Sequence, residues 1–328
     1  MTERRIPQVV GASLVLWHTD LDHVEAAARS IVEQDESVAH LCVIVNDDAD
    51  GAVSRDVERR LRPVLGDCAL TARPLPHNSG FAGGQNRALA ELFAAGCDHV
   101  LVLNPDVVLD PSCVRELVTH AAKQPGPVLV GPLLHSASSD LQGEGSIDTA
   151  GIRWTIGGRH LDALQGHPVA EAPKRPERVR GISGAAMLVS RAAFRRLVDE
   201  TGEFFDEDFI AYREDAELGL RADLLGVECW LVPSAVALHV RGLRGTSRKT
   251  TPWVNSLGVR NRFLMAAKYG PRRPGIWPLP WVRDVVVVAA VLSVERESLP
   301  GLKDAWRLRG RMRSKGRALR RAHKDLST

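Results

Sequence analysis

Three largely uninterrupted apolar runs, Val9–Leu16, His40–Val45 and His99–Leu103, recur in the first 135 residues, with helix-forming stretches between them. A strand that is apolar along its length has both faces covered, and such strands belong to parallel sheets flanked by helices. Leu21–Gln34, Val53–Leu65 and Ala82–Ala95 read as the helices, the last stopped by Gly96 just beyond its end. Leu70–Pro74 reads as a short strand, and Asp110-Pro111 as a capping residue followed by a proline suited to the first helical position. This alternation predicts an α/β fold with a Rossmann-like, mainly parallel sheet and right-handed crossovers.

The text changes at Gly131. From there to Arg180 it is rich in Gly, Pro, Ser and His and reads as loops and short strands. Gly184–Ser190 is apolar again, Arg191–Glu200 and Ala216–Leu225 read as helices, and Cys229–Val232 as a strand. After His239 the chain is basic and proline-rich through Pro280. Asp284–Ser293 is apolar but far short of the ~18 residues a membrane-crossing helix needs. The first residues, MTERRIPQVVGASLVLW, carry no A-x-A-like cleavage site, so they read as the approach to a buried strand in a cytoplasmic protein. Five scattered cysteines without a C-x-x-C argue against a disulfide framework or a structural zinc site. With 44% hydrophobic and 25% charged residues the chain has enough apolar mass for a sizeable core, which excludes a disordered or collagen-like protein.

Charge is unevenly spread. From Gly301 to the end there are ten Lys/Arg against Asp304 and Asp325, a net of +8 in a chain whose whole net charge is +3. The body is therefore mildly acidic and the tail strongly basic. Trp277, Trp281 and Val285–Leu292 precede this tail, a combination suited to an anionic membrane surface, while a helix packed on the body or a subunit contact fits it equally.

Three features carry chemistry. HVLVLNPDVVLDP delivers Asn104, Pro105 and Asp106 to the carboxyl end of an apolar strand, where open α/β sheets bind ligands. An acid there, facing a diphosphate, suits a hard cation such as Mg²⁺ or Mn²⁺, although N-P-D is also a common turn. HNSGFAGGQNRALAELFAAG sets Gly80, Gly83 and Gly84 at a helix entrance, matching neither G-x-G-x-x-G nor a P-loop. Glycines there let a ligand approach the backbone, or simply allow a tight turn. GEFFDEDFIAYREDAELGLRADLLG interleaves Asp206, Glu207, Asp208, Glu214, Asp215 and Glu217 with aromatic residues. Such a pattern reads as a cleft edge where a carboxylate can act as a general base, or as acids stabilising a helix start. The segment LVPSAVALHVRG adds His239.

Taken in order, Asn78-Ser79-Gly80-Phe81-Ala82-Gly83-Gly84-Gln85-Asn86, Leu103-Asn104-Pro105-Asp106, Gly184–Val189, Phe205-Asp206-Glu207-Asp208-Phe209, Glu214-Asp215-Ala216-Glu217-Leu218, Val232-Pro233-Ser234-Ala235 and His239 resemble family 2 glycosyltransferases of the GT-A fold. Within that family they resemble the bacterial rhamnosyltransferase-like branch, over about residues 8–245. The resemblance implies one GT-A domain at 1–245, with a nucleotide-sugar half at about 8–135 and an acceptor and catalytic half at 136–245. A basic helical extension would fill 246–328. It implies that Trp17, His18, Thr19, Asn46, Asp47 and Asp50 hold the nucleoside, and that Gly80, Phe81, Gly83 and Asn86 pack beside it. Asn104-Pro105-Asp106 would stand for the Asp-x-Asp motif, with Asp106 the main ligand of Mg²⁺ or Mn²⁺ and His239 approaching the metal or diphosphate. Asp215 would be the catalytic base with Glu214 beside it, and Gly184, Asp208 and Phe209 would line the acceptor site. Two positions depart from the pattern: Asn46 replaces the acid of Val-Asp-Asn, and Asn104 replaces the first acid of Asp-x-Asp, a replacement usual in this branch.

The expectation is an inverting, metal-dependent transferase that moves a sugar, such as rhamnose from dTDP-rhamnose, onto a saccharide or lipid-linked acceptor. A UDP- or GDP-sugar donor is the nearest alternative. More distant ones are a non-catalytic homologue or a nucleic-acid-binding protein, and the latter has no motif to support it. The expected location is the cytoplasm, with peripheral contact at the inner membrane face through the basic end, and the reading leaves room for a homo-oligomer.

Overall fold

β1 (Val10–Leu16) is buried along its whole length and opens an alternation through α1 (Leu21–Val32), β2 (Val38–Val45), α2 (Ala52–Leu65), β3 (Ala69–Pro74), α3 (Gly80–Ala94) and β4 (His99–Leu103). The computed structural model describes residues 8–136, 145–240 and 252–326. These four strands pair in parallel in the spatial order β4-β1-β2-β3. Then come β5 (Val107–Leu109), α4 (Cys113–Ala121), β6 (Val128–Ser136), β7 (Ile147–Thr149), β8 (Ile152–Trp154), β9 (His160–Asp162) and β10 (Glu177–Arg178). β11 (Ala186–Ser190), α5 (Arg191–Thr201), α6 (Glu214–Leu224) and β12 (Glu228–His239) follow. β11 inserts antiparallel between β4 and β6, and β12 runs parallel to β6. The sheet thus reads β10-β12-β6-β11-β4-β1-β2-β3, with β5 on β12 and β7 on β6, and β8 and β9 pair apart from it. Three helices follow: α7 (Pro252–Tyr269), α8 (Leu279–Ser293) and α9 (Leu299–Asp325).

Side chains alternate across the sheet with the two-residue period of a strand. Val10, Ala12, Leu14 and Leu16 join the core layer containing Val24 and Ile31 of α1 and Leu61 of α2. Val15 joins the opposite layer with Leu89 and Leu92 of α3. The one hydroxyl in the middle of β1, Ser13, is fully buried and donates to Gln85 Oε1 at 2.6 Å, so its own proton is paired.

Four elements differ from the sequence expectation. The helix after Asp110-Pro111 starts at Cys113, because Asp110 accepts from both the amide and the hydroxyl of Ser112 and holds that turn outside the helix. β6 continues through Gly131 and Pro132 as a nine-residue strand into the segment that reads as loops and short strands. β12 is twelve residues long; it passes Pro233 by an irregularity between Val232 and Val236, and this interruption hides its second half from pattern reading. α7 occupies part of the basic, proline-rich stretch.

α9 lies along α7, with Met312, Leu319 and Ala322 buried. The approach is close: a Cβ on Gly316 would stand 1.9 Å from the carbonyl oxygen of Lys268. Cations from these helices neutralise acids of the loop before α6 and of α6 itself. Lys268 bonds Asp206 and Glu217, and Lys315 reaches Glu203, Asp206 and Asp208. Burial opposes the charge on Asp206, but Lys268 and Lys315 outweigh it and hold that carboxyl well below its usual range. Arg221, also buried, pairs with Glu217 at 2.9 Å and donates to the carbonyls of Glu203 and Phe204. Arg221→Met should therefore cost about 3 kcal/mol or more in thermal unfolding, since removing one member of a buried charge network strands its partners. A melting temperature equal to that of the parent would show the network to be dispensable.

Among the described residues no helix is long and apolar enough to cross a membrane. The boundary expected at residue 245 lies outside the described residues.

Candidate active site

The carboxyl ends of β1, β2 and β4 and the start of α3 meet at one edge of the sheet. Trp17 follows β1 and donates its indole N–H to Asp47 Oδ2 at 2.8 Å, and Thr19 Oγ1 accepts from the Trp17 amide. The Trp17 ring lies 5.0 Å from His18 and 5.4 Å from Trp253 of α7, both centroid to centroid. Asn46 is turned inward instead. Its Oδ1 accepts from the amide and hydroxyl of Ser79, and its Nδ2 donates to the Gly80 carbonyl. Asn46 thus pins the entrance of α3 to the end of β2. Asp50 accepts from the Ala52 amide at the start of α2, and its neighbour Asp48 caps the same helix through Val53 and Ser54.

Gly80 has φ +73, and a Cβ there would stand 2.5 Å from the Ile210 carbonyl oxygen, so only glycine fits. This contact ties the glycine turn to the acidic segment. Asn86 strengthens the tie by exchanging hydrogen bonds with the Phe205 backbone and donating to Glu207. The Phe81 and Phe205 rings are 5.5 Å apart, and Gly83 lies against Ser79 and Glu207.

Two chemical centres sit on this frame. At the first, Asp106 lies beyond β4, and its carbonyl accepts from Val240 just after β12. His239 Nε2 is 3.4 Å from Asp106 Oδ1, while its Nδ1 donates to Asp148 Oδ2 at 2.9 Å. Burial opposes charge on His239, but the hydrogen bonds and charges of Asp106 and Asp148 overcome it and raise its pKa to about 9. At the second centre, Asp215 opens α6. Its Oδ2 accepts from the Gly184 amide at 3.2 Å and its Oδ1 from the Ala216 amide at 2.7 Å. Burial raises Asp215 to about 6 against these two amides. Burial and Asp215 push Glu214 well above the usual carboxylate range, and its Oε2 is buried without a hydrogen-bond partner among the described residues. The centres adjoin across two residues: Asn104 N–H donates to the Ala185 carbonyl, and Gly184 holds Asp215.

The loop that delivers Glu214 and Asp215 is strained. Ile210, Tyr212 and Arg213 all have positive φ, between 62° and 72°, a region costing roughly 1–3 kcal/mol per non-glycine residue. Fully buried Asn261 of α7 holds the loop by donating to the carbonyls of Phe209, Ala211 and Tyr212, and Arg260 donates to that of Asp208.

A cleft of about 490 Å³ opens beside the loop before α6, lined by Asp162 and His160 of β9, Tyr212 and Arg213 of that loop and residues of α7 and α8; Asp215, two residues on, does not line it but feels the charge of Asp162. Asp208 and Phe209 do not line it. Phe209 is wholly in the core, and the Asp208 carboxylate pairs with Lys315 and Arg311. Sequence reasoning missed Asp148, Asp162, Asn261 and Trp253. Asp148 and Asp162 are lone acids in irregular text, and only the pairing of β7 with β6 and of β9 with β8 carries them to the site.

The donor set at Asp106 and His239 fits a divalent cation. A ligating histidine commonly gives its other ring N–H to a carboxylate, as His239 does to Asp148. One carboxylate and one imidazole leave room for substrate phosphate oxygens, the usual partners of Mg²⁺ and Mn²⁺. Among the described residues no group of three or more candidate ligands is assembled, so phosphate oxygens would have to complete the shell.

No family model matches the chain. Two curated relatives, from two strains of Mycobacterium tuberculosis, are each an N-acetylglucosaminyl-diphospho-decaprenol L-rhamnosyltransferase. Each is 29% identical over 239 residues, which is 66% of this chain and 71% of the relative. Among solved structures the chain is similar to GalNAc-T7 with UDP, GalNAc and Mn²⁺, at TM-score 0.56 and 12% identity over 88% of this chain and 57% of that one. It is also similar to a mannosyltransferase from Pyrobaculum calidifontis in complex with GDP-Man and Mn²⁺, at TM-score 0.51 and 14% identity over 97% and 88%. The fold shared with these structures is the GT-A fold.

Proposed function

We propose that this protein, a glycosyltransferase of the GT-A fold that resembles the rhamnosyltransferase-like branch of family 2, moves a deoxyhexose such as rhamnose from its dTDP donor to a hydroxyl of a lipid-linked saccharide. The observation that carries the reading is the carboxylate of Asp215, oriented by two backbone amides at the start of α6, two residues beyond Arg213 of the cleft wall and joined to the Asp106 end of the sheet through Gly184 and Ala185. Trp17, His18 and Trp253 form the aromatic wall on which a nucleobase would stack, with Asp47 fixing the Trp17 ring.

In one displacement the acceptor oxygen bonds to the anomeric carbon as the bond from that carbon to the phosphate oxygen breaks. Asp215 receives the hydroxyl proton, and the configuration inverts. The Gly184 and Ala216 amides hold the carboxylate in line. Asp106 and His239 would hold a divalent cation, which supplies Lewis-acid stabilisation of the departing diphosphate. Asp148 keeps Nε2 of His239 turned toward Asp106.

Two measurements test this. In a thermal-shift panel of dTDP, UDP and GDP, each with and without Mn²⁺, dTDP with Mn²⁺ should give the largest shift; a ligand at 100 times its Kd adds about 2.7 kcal/mol. If no nucleoside diphosphate shifts the transition the reading fails, and if UDP or GDP alone does so the thymidine donor fails. The pH profile of kcat/KM should also show a limb near pH 6, with activity lost on acidification as Asp215 takes up its proton. A profile flat from pH 5 to 8 on the ~1-unit scale of such titrations would remove Asp215 from the base role.

A further inference from the structure

α8 presents its faces in the reverse of the usual order. Asp284 and Pro280 are buried, and Arg283 is half-buried, while Trp281, Val282, Val285, Val286 and Leu292 are exposed. These five fall at helical spacing on one stripe, with Val285 and Val286 at 69% and 60% exposure. Just before the helix, Trp277 is 78% exposed. A contiguous apolar stripe turned to solvent marks an interaction surface, and tryptophans at its end suit a lipid–water boundary. Fifteen residues at ~1.5 Å rise each lie far short of the ~30 Å hydrocarbon core, so this helix can lie on a bilayer but not cross it.

The inner side of the same helix borders the cleft beside the loop before α6, through Arg283 and Val287. Arg159, Arg213 and Arg262 line it too, against Asp162 and Glu295. Asp284 is already shared between Arg262 and Arg273. Arg283 Nη1 is buried without a hydrogen-bond partner among the described residues. Burial and the nearby charges of Arg262, Arg283 and Arg159 push Arg213 down to about 10. Cations crowded this way are relieved by an anion that several guanidinium groups can hold together. Asp106 and His239 do not line this cleft, so it is separate from the centre assigned to the donor diphosphate.

We infer that the cleft and the outer stripe of α8 form one seat for a lipid diphosphate acceptor: Arg159, Arg213 and Arg283 hold the diphosphate, while Trp281, Val282, Val285, Val286 and Leu292 lie against lipid. The inference rests on the transferase reading for its place in catalysis. It concerns binding alone and can be tested without turnover. It also locates lipid contact on α8, whereas Lys315 and Arg311 of the basic tail are engaged with acids of the body.

The test uses the full chain and three soluble probes: farnesyl diphosphate, inorganic pyrophosphate and farnesol. Phosphatidylcholine vesicles with and without geranylgeranyl diphosphate complete the set. Farnesyl diphosphate should bind more tightly than pyrophosphate or farnesol, and R159Q/R283Q should weaken it by at least about tenfold, as expected for lost charged hydrogen bonds. V285S/V286S should lose retention on the doped vesicles while keeping the parent's affinity for pyrophosphate. R159Q alone, at an exposed position, guards against a folding defect in the double variant and should show part of the loss. Unchanged farnesyl diphosphate affinity in R159Q/R283Q overturns the inference, as does binding of farnesol equal to that of its diphosphate. So does a chain that ignores the vesicles but forms a dimer that V285S/V286S dissociates. Nucleotide binding with Mn²⁺, read by thermal shift on the same samples, reports on the donor reading alone, so the two can fail separately.

Discussion

Asp215→Asn should lower turnover by at least about 10²-fold, and by as much as ~10⁴-fold, while nucleotide binding stays unchanged. Asparagine keeps the shape and one of the two acceptors that meet the Gly184 and Ala216 amides. What it removes is the capacity to take a proton. Glu214→Gln should retain more activity, because the Glu214 carboxyl lies deeper, its Oε2 meets no hydrogen-bond partner among the described residues, and burial favours its neutral form. The measurement is kcat for both variants beside a nucleotide titration. If Asp215→Asn turns over at the parent rate while Glu214→Gln is inactive, the roles of the two acids are reversed.

Asp106→Ala should cost transfer on the order of 10³-fold, corresponding to several kcal/mol of lost charge stabilisation. It should also abolish the Mn²⁺ dependence of nucleotide affinity. The fold should survive, because the Asp106 side chain is 24% exposed and its carbonyl still meets the Val240 amide. Calorimetric titration of dTDP with and without Mn²⁺ checks this. Metal-dependent affinity equal to the parent's would move the cation elsewhere.

β1, β2 and β4 were legible because a doubly covered strand writes itself as an apolar run, as in Val10–Leu16. Asp106, Asp215 and His239 stood out because each lies at or just beyond the end of a strand or at the start of a helix. α7 was not legible. Its buried face includes Arg260, Asn261, Arg262 and Lys268 beside Leu264 and Met265, so it has no apolar stripe. Those polar groups are satisfied by loop carbonyls at Asp208, Phe209, Ala211 and Tyr212, and by Asp284, Asp206 and Glu217. Some of these partners lie more than fifty positions away, and no local pattern encodes a pairing of that span. The α8 stripe was visible as composition, but composition cannot tell which side meets solvent. The acids between Asp206 and Glu217 formed one cluster in the sequence, and the structure divides them: Asp206, Asp208 and Glu217 go to lysine and arginine partners, while Glu214 and Asp215 open α6 without an ion pair among the described residues.

Asn261 has a consequence for how this molecule can be shortened or recombined. Its one amide group answers three carbonyls of a loop whose backbone is held in an unfavourable conformation. A chain cut after β12 would still contain Asp106, Asp215 and His239, yet the loop that leads to Asp215 would lose the Arg260 and Asn261 donors to four of its carbonyls. Grafting the first 240 residues onto a foreign partner would therefore transplant the reactive groups without their alignment. The smallest heritable unit of this catalyst extends at least through α7.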